Sequence, residues 1–315
     1  MPLDPQVKEL LDQLEAAGSP PVHELTVADV REHSTQTMQP ILRRADEVVG
    51  DITLQTAVGP IRARLYRPRA QDASTVTPML VWFHGGGWVL GGLDAADHVA
   101  RQLCVDAGVI VASVEYPLAP EFPYPAGLDA CTAATETLIE LATELGADPL
   151  RLAIGGDSAG GNFAALVALR LRDTGISGVT FQLLVYPATD LTLSSQSMKD
   201  NGSGYLLTAD VMQWCVRHYL PDGVSAADAG VSPLLRGDLA GLPHALIITA
   251  EYDPLRDEGE EFGRRLKAAG VPVTVSRYAG QVHTFFELAD LLDGAQQAMK
   301  EAAAALRSAL AVTQI

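Results

Sequence analysis

The chain has 315 residues, 48% of them hydrophobic, enough to bury about three quarters of its unfolded surface in one large core. Its 39 acidic against 22 basic residues give a formal charge of -17, which repels nucleic-acid phosphates and anionic lipid headgroups and argues against both as partners. No run approaches the roughly 18 uncharged apolar residues of a membrane span. Cys104, Cys131 and Cys215 show neither CxxC spacing nor an even framework and are read as reduced core residues, so a soluble cytoplasmic protein is expected.

Taken in chain order, Leu3, Val7, Leu10, Leu11 and Leu14 recur at helical spacing with charges between them, unlike the continuous apolar stretch of a signal segment. Ser19-Pro20-Pro21 breaks this helix, and a second starts near Thr26 and Asp29. Residues 51–67 alternate and end at Pro68, which predicts a β-hairpin turning at Gly59-Pro60. From there short apolar runs at 79–83, 109–114, 152–155, 181–186, 245–249 and 273–278 alternate with helical stretches at 126–145, 159–173 and 257–269. An alanine-rich helix at about 289–309 closes the chain. That alternation predicts an α/β fold with a mostly parallel sheet covered on both faces. Residues 187–244 break the rhythm and hold one amphipathic piece at 209–219, so they are read as an insertion forming part of a cap.

The run at 152–155 leads into Gly156-Asp157-Ser158-Ala159-Gly160-Gly161 and then directly into helical sequence. A serine at a strand-to-helix turn is the nucleophile-elbow context, with glycines removing the Cβ atoms that a sharp turn cannot hold. His84-Gly85-Gly86-Gly87 directly follows the run at 79–83, leaving backbone N–H groups open to a developing oxyanion, while His84 braces the loop. A serine nucleophile needs a base and an acid to orient it, both expected after later strands. The run at 273–278 leads to His283, the base. The run at 245–249 leads to Glu251, Asp253 and Asp257, of which Asp253 is preferred because Pro254 keeps it out of a helix. Asp257 is then expected to cap the next helix, and Glu251 to brace the loop. In this reading His283 takes the Ser158 proton during attack on an ester carbonyl and returns it to the leaving alcohol; no metal or organic cofactor is required.

HGGG, GDSAGG, DPLRDEG and a late histidine, in that order, together with YPLAPEFPYP at 116–125 and VYPATD at 185–190, resemble the hormone-sensitive-lipase-like esterases of bacterial family IV. The resemblance spans about 80–288. It implies the α/β-hydrolase fold: one domain over 1–315, with a mostly parallel eight-stranded sheet flanked by helices and a helical cap from about 1–45 and about 188–225. It also implies an oxyanion hole from the amides of Gly86, Gly87 and Ala159, with Gly85 shaping the turn and Asp157 and Glu251 supporting the elbow and acid loops. Two positions depart from the family pattern: Pro117 stands where arginine is common, and Thr284 follows the base where glycine is frequent.

The expected activity is hydrolysis of short- to medium-chain carboxylic esters, small molecules admitted beneath the cap, with Trp88, Phe285 and Phe286 as candidate pocket walls. An amidase, aryl-formamidase or lactone hydrolase would use the same machinery. A non-catalytic small-molecule receptor is the alternative of another class, disfavoured because His283 is retained. The last strand, if an edge, offers a surface for homodimerisation.

Overall fold

The computed structural model describes residues 2–18, 20–37, 47–68 and 76–311. The inner apolar runs are strands because both of their faces are covered. In β3 (Thr77–Phe83) Met79, Val81 and Phe83 enter one core cluster while Leu80 and Trp82 enter the other. The remaining strands are β1 (Glu47–Thr56), β2 (Gly59–Pro68), β4 (Ile110–Val114), β5 (Ala147–Asp157), β6 (Val179–Val185), β7 (His244–Tyr252) and β8 (Val273–Val282). Together they form an eight-stranded sheet in the order β1-β2-β4-β3-β5-β6-β7-β8. Only β2 runs against its neighbours; β4-β3-β5-β6-β7-β8 are parallel throughout. The carboxyl ends of β3, β5, β7 and β8 therefore lie along one side of the sheet, where ligands of such sheets bind.

Helices α1 (Pro5–Ala17), α2 (Val27–Thr37), α3 (Asp97–Ala107), α4 (Ala126–Glu140), α5 (Ala159–Thr174), α6 (Gln196–Asp200), α7 (Ala209–Tyr219), α8 (Arg256–Ala268) and α9 (Asp293–Ala309) complete the chain. Buried side chains of α4, α5 and α8 share one cluster, and those of α3 and α9 the other, so each face of the sheet carries its own core. Several strands are longer than their apolar runs. β5 starts at Ala147, and β8 continues to Val282, the extension that delivers His283 to the site. The last helix starts at Asp293 rather than near 289, because a 3-10 turn at Phe285–Glu287 occupies the preceding chain.

The expected cap divides in two. In the insertion, α6 is N-capped by Ser195 and α7 by Thr208, whose hydroxyls accept the Met198 and Val211 N–H groups. Met212, Trp214, Cys215 and Tyr219 of α7 join Val30 of α2 in one cluster, so α2 and α7 lie on the same side. The first helix goes elsewhere: Val7 of α1 is buried beside Val282, Phe285 and Met299, and the Asp4 N–H donates to Gly280 O at 3.1 Å. α1 thus covers the end of β8 instead of the insertion. Residues 38–45 of the expected cap lie outside the described residues.

Candidate active site

Ser158 stands between β5 and α5 with φ +54° and ψ -117°, a conformation costly for a residue with a Cβ. Its surroundings hold it there. The Ser158 N–H donates to Val185 O at 2.9 Å, and its carbonyl accepts from Asn162 N–H (3.0 Å) and Ala188 N–H (3.2 Å). The turn needs glycine at 160, where a Cβ would lie 2.0 Å from Phe83 O and 2.6 Å from His84 O. That close approach presses the nucleophile helix against the chain leaving β3, placing the two glycine-rich motifs side by side.

His283 Nε2 lies 2.9 Å from Ser158 Oγ, and His283 Nδ1 lies 2.7 Å from Asp253 Oδ2. Both histidine and aspartate are buried, and Ser158 is 9% exposed. A buried carboxylate facing Nδ1 fixes the tautomer in which that nitrogen carries the proton, leaving Nε2 free to accept from the hydroxyl. Asp253 is itself held, its Oδ1 accepting the Leu255 N–H at 2.8 Å and its carbonyl accepting from Asn201 Nδ2 at 3.2 Å. The expectation that Asp257 caps α8 needs correcting. Leu255 is the residue at the N-cap, and Asp257 lies in the first helical turn, where its carboxylate accepts the Ser197 N–H of α6 at 2.8 Å. Glu251 Oε2 accepts the Gly280 N–H at 2.8 Å, tying the end of β7 to β8.

The loop after β3 is fastened from three sides. Gly86 O accepts the Val89 and Leu90 N–H groups at 3.1 and 2.8 Å, and Asp157 Oδ1 accepts the Gly85 N–H at 3.0 Å. Burial pushes the His84 imidazole down to about 4, so it is neutral near pH 7 and its Nδ1–H donates to Gly85 O at 2.7 Å. The Tyr116 hydroxyl donates to His84 O at 2.7 Å while its ring stacks on the imidazole, centroids 4.2 Å apart. The loop leaves the Gly86 and Gly87 amides without a protein acceptor among the described residues; the Ala159 amide opens α5 and has no acceptor within that helix. All three can face an oxygen bound beside Ser158.

The three aromatics expected from sequence as pocket walls all pack into the core clusters. Phe285 and Phe286 are fully buried in the cluster beneath the sheet, with Phe285 against Tyr186 and Tyr278. Trp88 is 1% exposed because its ring is stacked on Tyr219 of α7, centroids 4.6 Å apart.

Several site neighbours escaped the sequence reading. The Tyr186 ring rests on His283, centroids 4.5 Å apart, and could only have been flagged as the tyrosine of VYPATD. Glu258 of α8 is buried and accepts the Thr189 and Asp190 N–H groups at 2.8 and 3.1 Å, fixing the start of the insertion; burial holds its carboxyl well above the usual range. Arg31 of α2 donates to Val89 O (3.0 Å) and Ala119 O (2.9 Å) and pairs with Glu121 at 2.7 Å. It brings a guanidinium to the segment where Pro117 departs from the family pattern. Cys215 of α7 lies so near Gly87 that a Cβ there would be 2.3 Å from its sulfur. Thr284, the second departure, adopts a left-handed φ of +69°, the backbone state that glycine takes freely.

Among the described residues no group of three or more His, Cys, Asp or Glu side chains is arranged to hold a metal ion, and no helix is long and apolar enough to cross a membrane. The three cysteines are buried and form no disulfide.

A family model of the alpha/beta hydrolase fold matches residues 80–287. The chain is 40% identical over 315 residues to carboxylesterase NlhH of Mycobacterium tuberculosis, covering 98% of this chain and 96% of that protein. It is 34% identical over 318 residues to ethyl acetate hydrolase of Pseudomonas putida, covering 98% of this chain and 100% of that one. The crystal structure of a thermostable esterase from Pseudomonas putida superposes with a TM-score of 0.95 at 35% identity, covering 99% of both chains.

Proposed function

The chain belongs to the alpha/beta-hydrolase fold family, and from that premise we propose that it is a serine carboxylesterase using Ser158, His283 and Asp253. One observation carries the assignment of residues: an unbroken line from Ser158 Oγ through His283 to Asp253, with spacings of 2.9 and 2.7 Å, standing at a strained strand-to-helix turn.

In the first half-reaction His283 Nε2 removes the Ser158 proton as Oγ attacks the ester carbonyl carbon. The carbonyl oxygen becomes an oxyanion received by the amides of Gly86, Gly87 and Ala159, and Asp253 stabilises the imidazolium. The imidazolium proton passes to the departing alcohol, leaving an acyl group on Ser158. Water, deprotonated by the same nitrogen, then attacks the acyl carbon, and the carboxylic acid leaves as Ser158 recovers its proton. The substrate is a small carboxylic ester of short to medium chain, because α2 and α7 pack together as a cap on the side of the carboxyl ends that carry the triad.

Three finer readings accompany this one. The chain acts as one domain, with α2 and the 188–225 segment as its cap. β8 is an edge strand with Val275 39% exposed, suited to pairing with a second copy, which sedimentation would detect. Three buried cysteines without a disulfide suit the reducing cytoplasm, testable by cell fractionation.

Hydrolysis of a short p-nitrophenyl ester by wild type and by Ser158→Ala tests the central reading. Turnover by wild type alone is expected; equal rates would overturn it.

A further inference from the structure

The acid loop between β7 and α8 is stitched to the insertion that follows β6, and the mechanism above gives those stitches no part. Thr189 and Asp190, where the insertion begins, donate their N–H groups to Glu258 of α8 at 2.8 and 3.1 Å. Ser197 of α6 is fully buried and holds two groups of the loop at once: its hydroxyl donates to Pro254 O at 2.7 Å and accepts the Asp257 N–H at 3.0 Å. One hydrogen and a lone pair of the same oxygen allow both bonds together. Asn201, at the end of α6 and 5% exposed, donates from Nδ2 to Asp253 O at 3.2 Å and to Glu251 O at 3.4 Å. Both partners are carbonyl oxygens, so the amide can face them only with its NH₂ end.

The local sequence explains how these side chains arrive. α6 has five residues, too few to stand alone, and is held by its Ser195 N-cap and by the bond from the Ser197 N–H to the Asp257 carboxylate at 2.8 Å. Ser197 and Asn201 are four residues apart, which puts both on the one face that meets the acid loop. Just beyond, Tyr205 lays its ring near Tyr252, the neighbour of Asp253, with centroids 5.1 Å apart. Gly202 O then accepts the Ala209 N–H at 2.9 Å, joining α6 to the start of α7.

Asp253 needs such support. Its Oδ2 faces His283 Nδ1 at 2.7 Å and its Oδ1 accepts the Leu255 N–H at 2.8 Å, but the second bond lies within the loop and moves with it. The buried Leu255 side chain anchors the loop in the core, and apolar burial carries no direction. Hydrogen bonds do, and those to Asp253 O and Pro254 O come from α6. We propose that Asn201 and Ser197 are positioning residues of the ester hydrolysis: they fix the backbone of the acid loop so that the Asp253 carboxylate stays aligned with His283. The proposal rests on the serine-esterase reading. It makes α6 part of the triad's support, so its substitution acts on turnover more than on substrate binding.

The test is a double-mutant cycle on a short p-nitrophenyl ester, comparing wild type, Asn201→Ala, Asp253→Ala and the Asn201→Ala/Asp253→Ala double variant. Asn201→Ala is expected to lower kcat by about 10-fold with KM changed by less than about 3-fold, since a misaligned acid harms the transition state more than binding. In the Asp253→Ala background the same substitution should change the residual rate by less than about 2-fold, because no carboxylate is left to align. A role confined to folding would cost the same in both backgrounds. Ser197→Ala, which keeps the packing volume, should repeat the pattern, and its cycle decides should Asn201→Ala not fold. Wild-type kcat in the single variant, a loss confined to KM, or an equal kcat loss with and without Asp253 would each overturn the proposal. Full activity in Ser158→Ala would instead remove the underlying esterase reading, which keeps the two failures distinct.

Discussion

Helices α5 and α7 both touch the site, and they are held in opposite ways. α5 is buried from Ala159 through Leu169, pressed between the sheet and α4 with backbone-to-backbone contact at Gly160. α7 buries only Met212, Trp214, Cys215 and Tyr219 and reaches the site through Cys215 beside Gly87 and Tyr219 on Trp88. The nucleophile's position is thus fixed by close packing. The cap's position rests on a few side chains that substitution can retune. The proposed chemistry rests on the first region and the proposed substrate choice on the second.

Substitutions in the two regions should differ in size and in kind. Ser158→Ala is expected to cost on the order of 10⁵-fold or more in kcat, because the residual rate comes from the oxyanion hole and binding alone. Asp253→Asn should follow at about 10⁴-fold, since an amide facing His283 Nδ1 favours the wrong tautomer; steady-state kinetics would show it, with thermal unfolding little changed. Gly160→Ala forces a methyl onto Phe83 O and should destabilise the fold by about 3 kcal/mol or more, read as a lower denaturant midpoint. Arg31→Ala, on the cap side, removes bonds to Val89 O, Ala119 O and Glu121 and should cost about 2 kcal/mol at most. Its kinetic effect should fall on KM. A large kcat loss from Arg31→Ala, or a mere KM change from Asp253→Asn, would break the division between the two regions.

How much of this was legible in sequence follows the same division. Ser158, Asp253, His283 and the glycine loop each come directly after a strand, and the strands can be read as short runs, so chain order alone brought these residues to the carboxyl ends of the sheet. What stayed hidden depends on tertiary contact between distant segments. Arg31 meets Val89 and Ala119 only because α2 folds across the oxyanion loop, and nothing in its own helix marks it. The amphipathic pattern of α1 looks the same whether it covers a cap or the end of β8. Phe285 and Phe286 sit next to the base in sequence, yet the 3-10 turn rotates both into the core. Asp257 has the chemistry of a helix cap, but Leu255 occupies that position and Asp253 already supplies the acceptor for its N–H.

The central claim is that Ser158 is an activated nucleophile, and active-site labelling addresses it most directly. Incubation with a small phosphonate ester, followed by intact mass and peptide mapping, should show one adduct per chain on Ser158, with activity lost in proportion. The His283→Ala variant should remain unlabelled over the same time. Failure of wild type to label, or an adduct on any other residue while activity falls, would contradict the account.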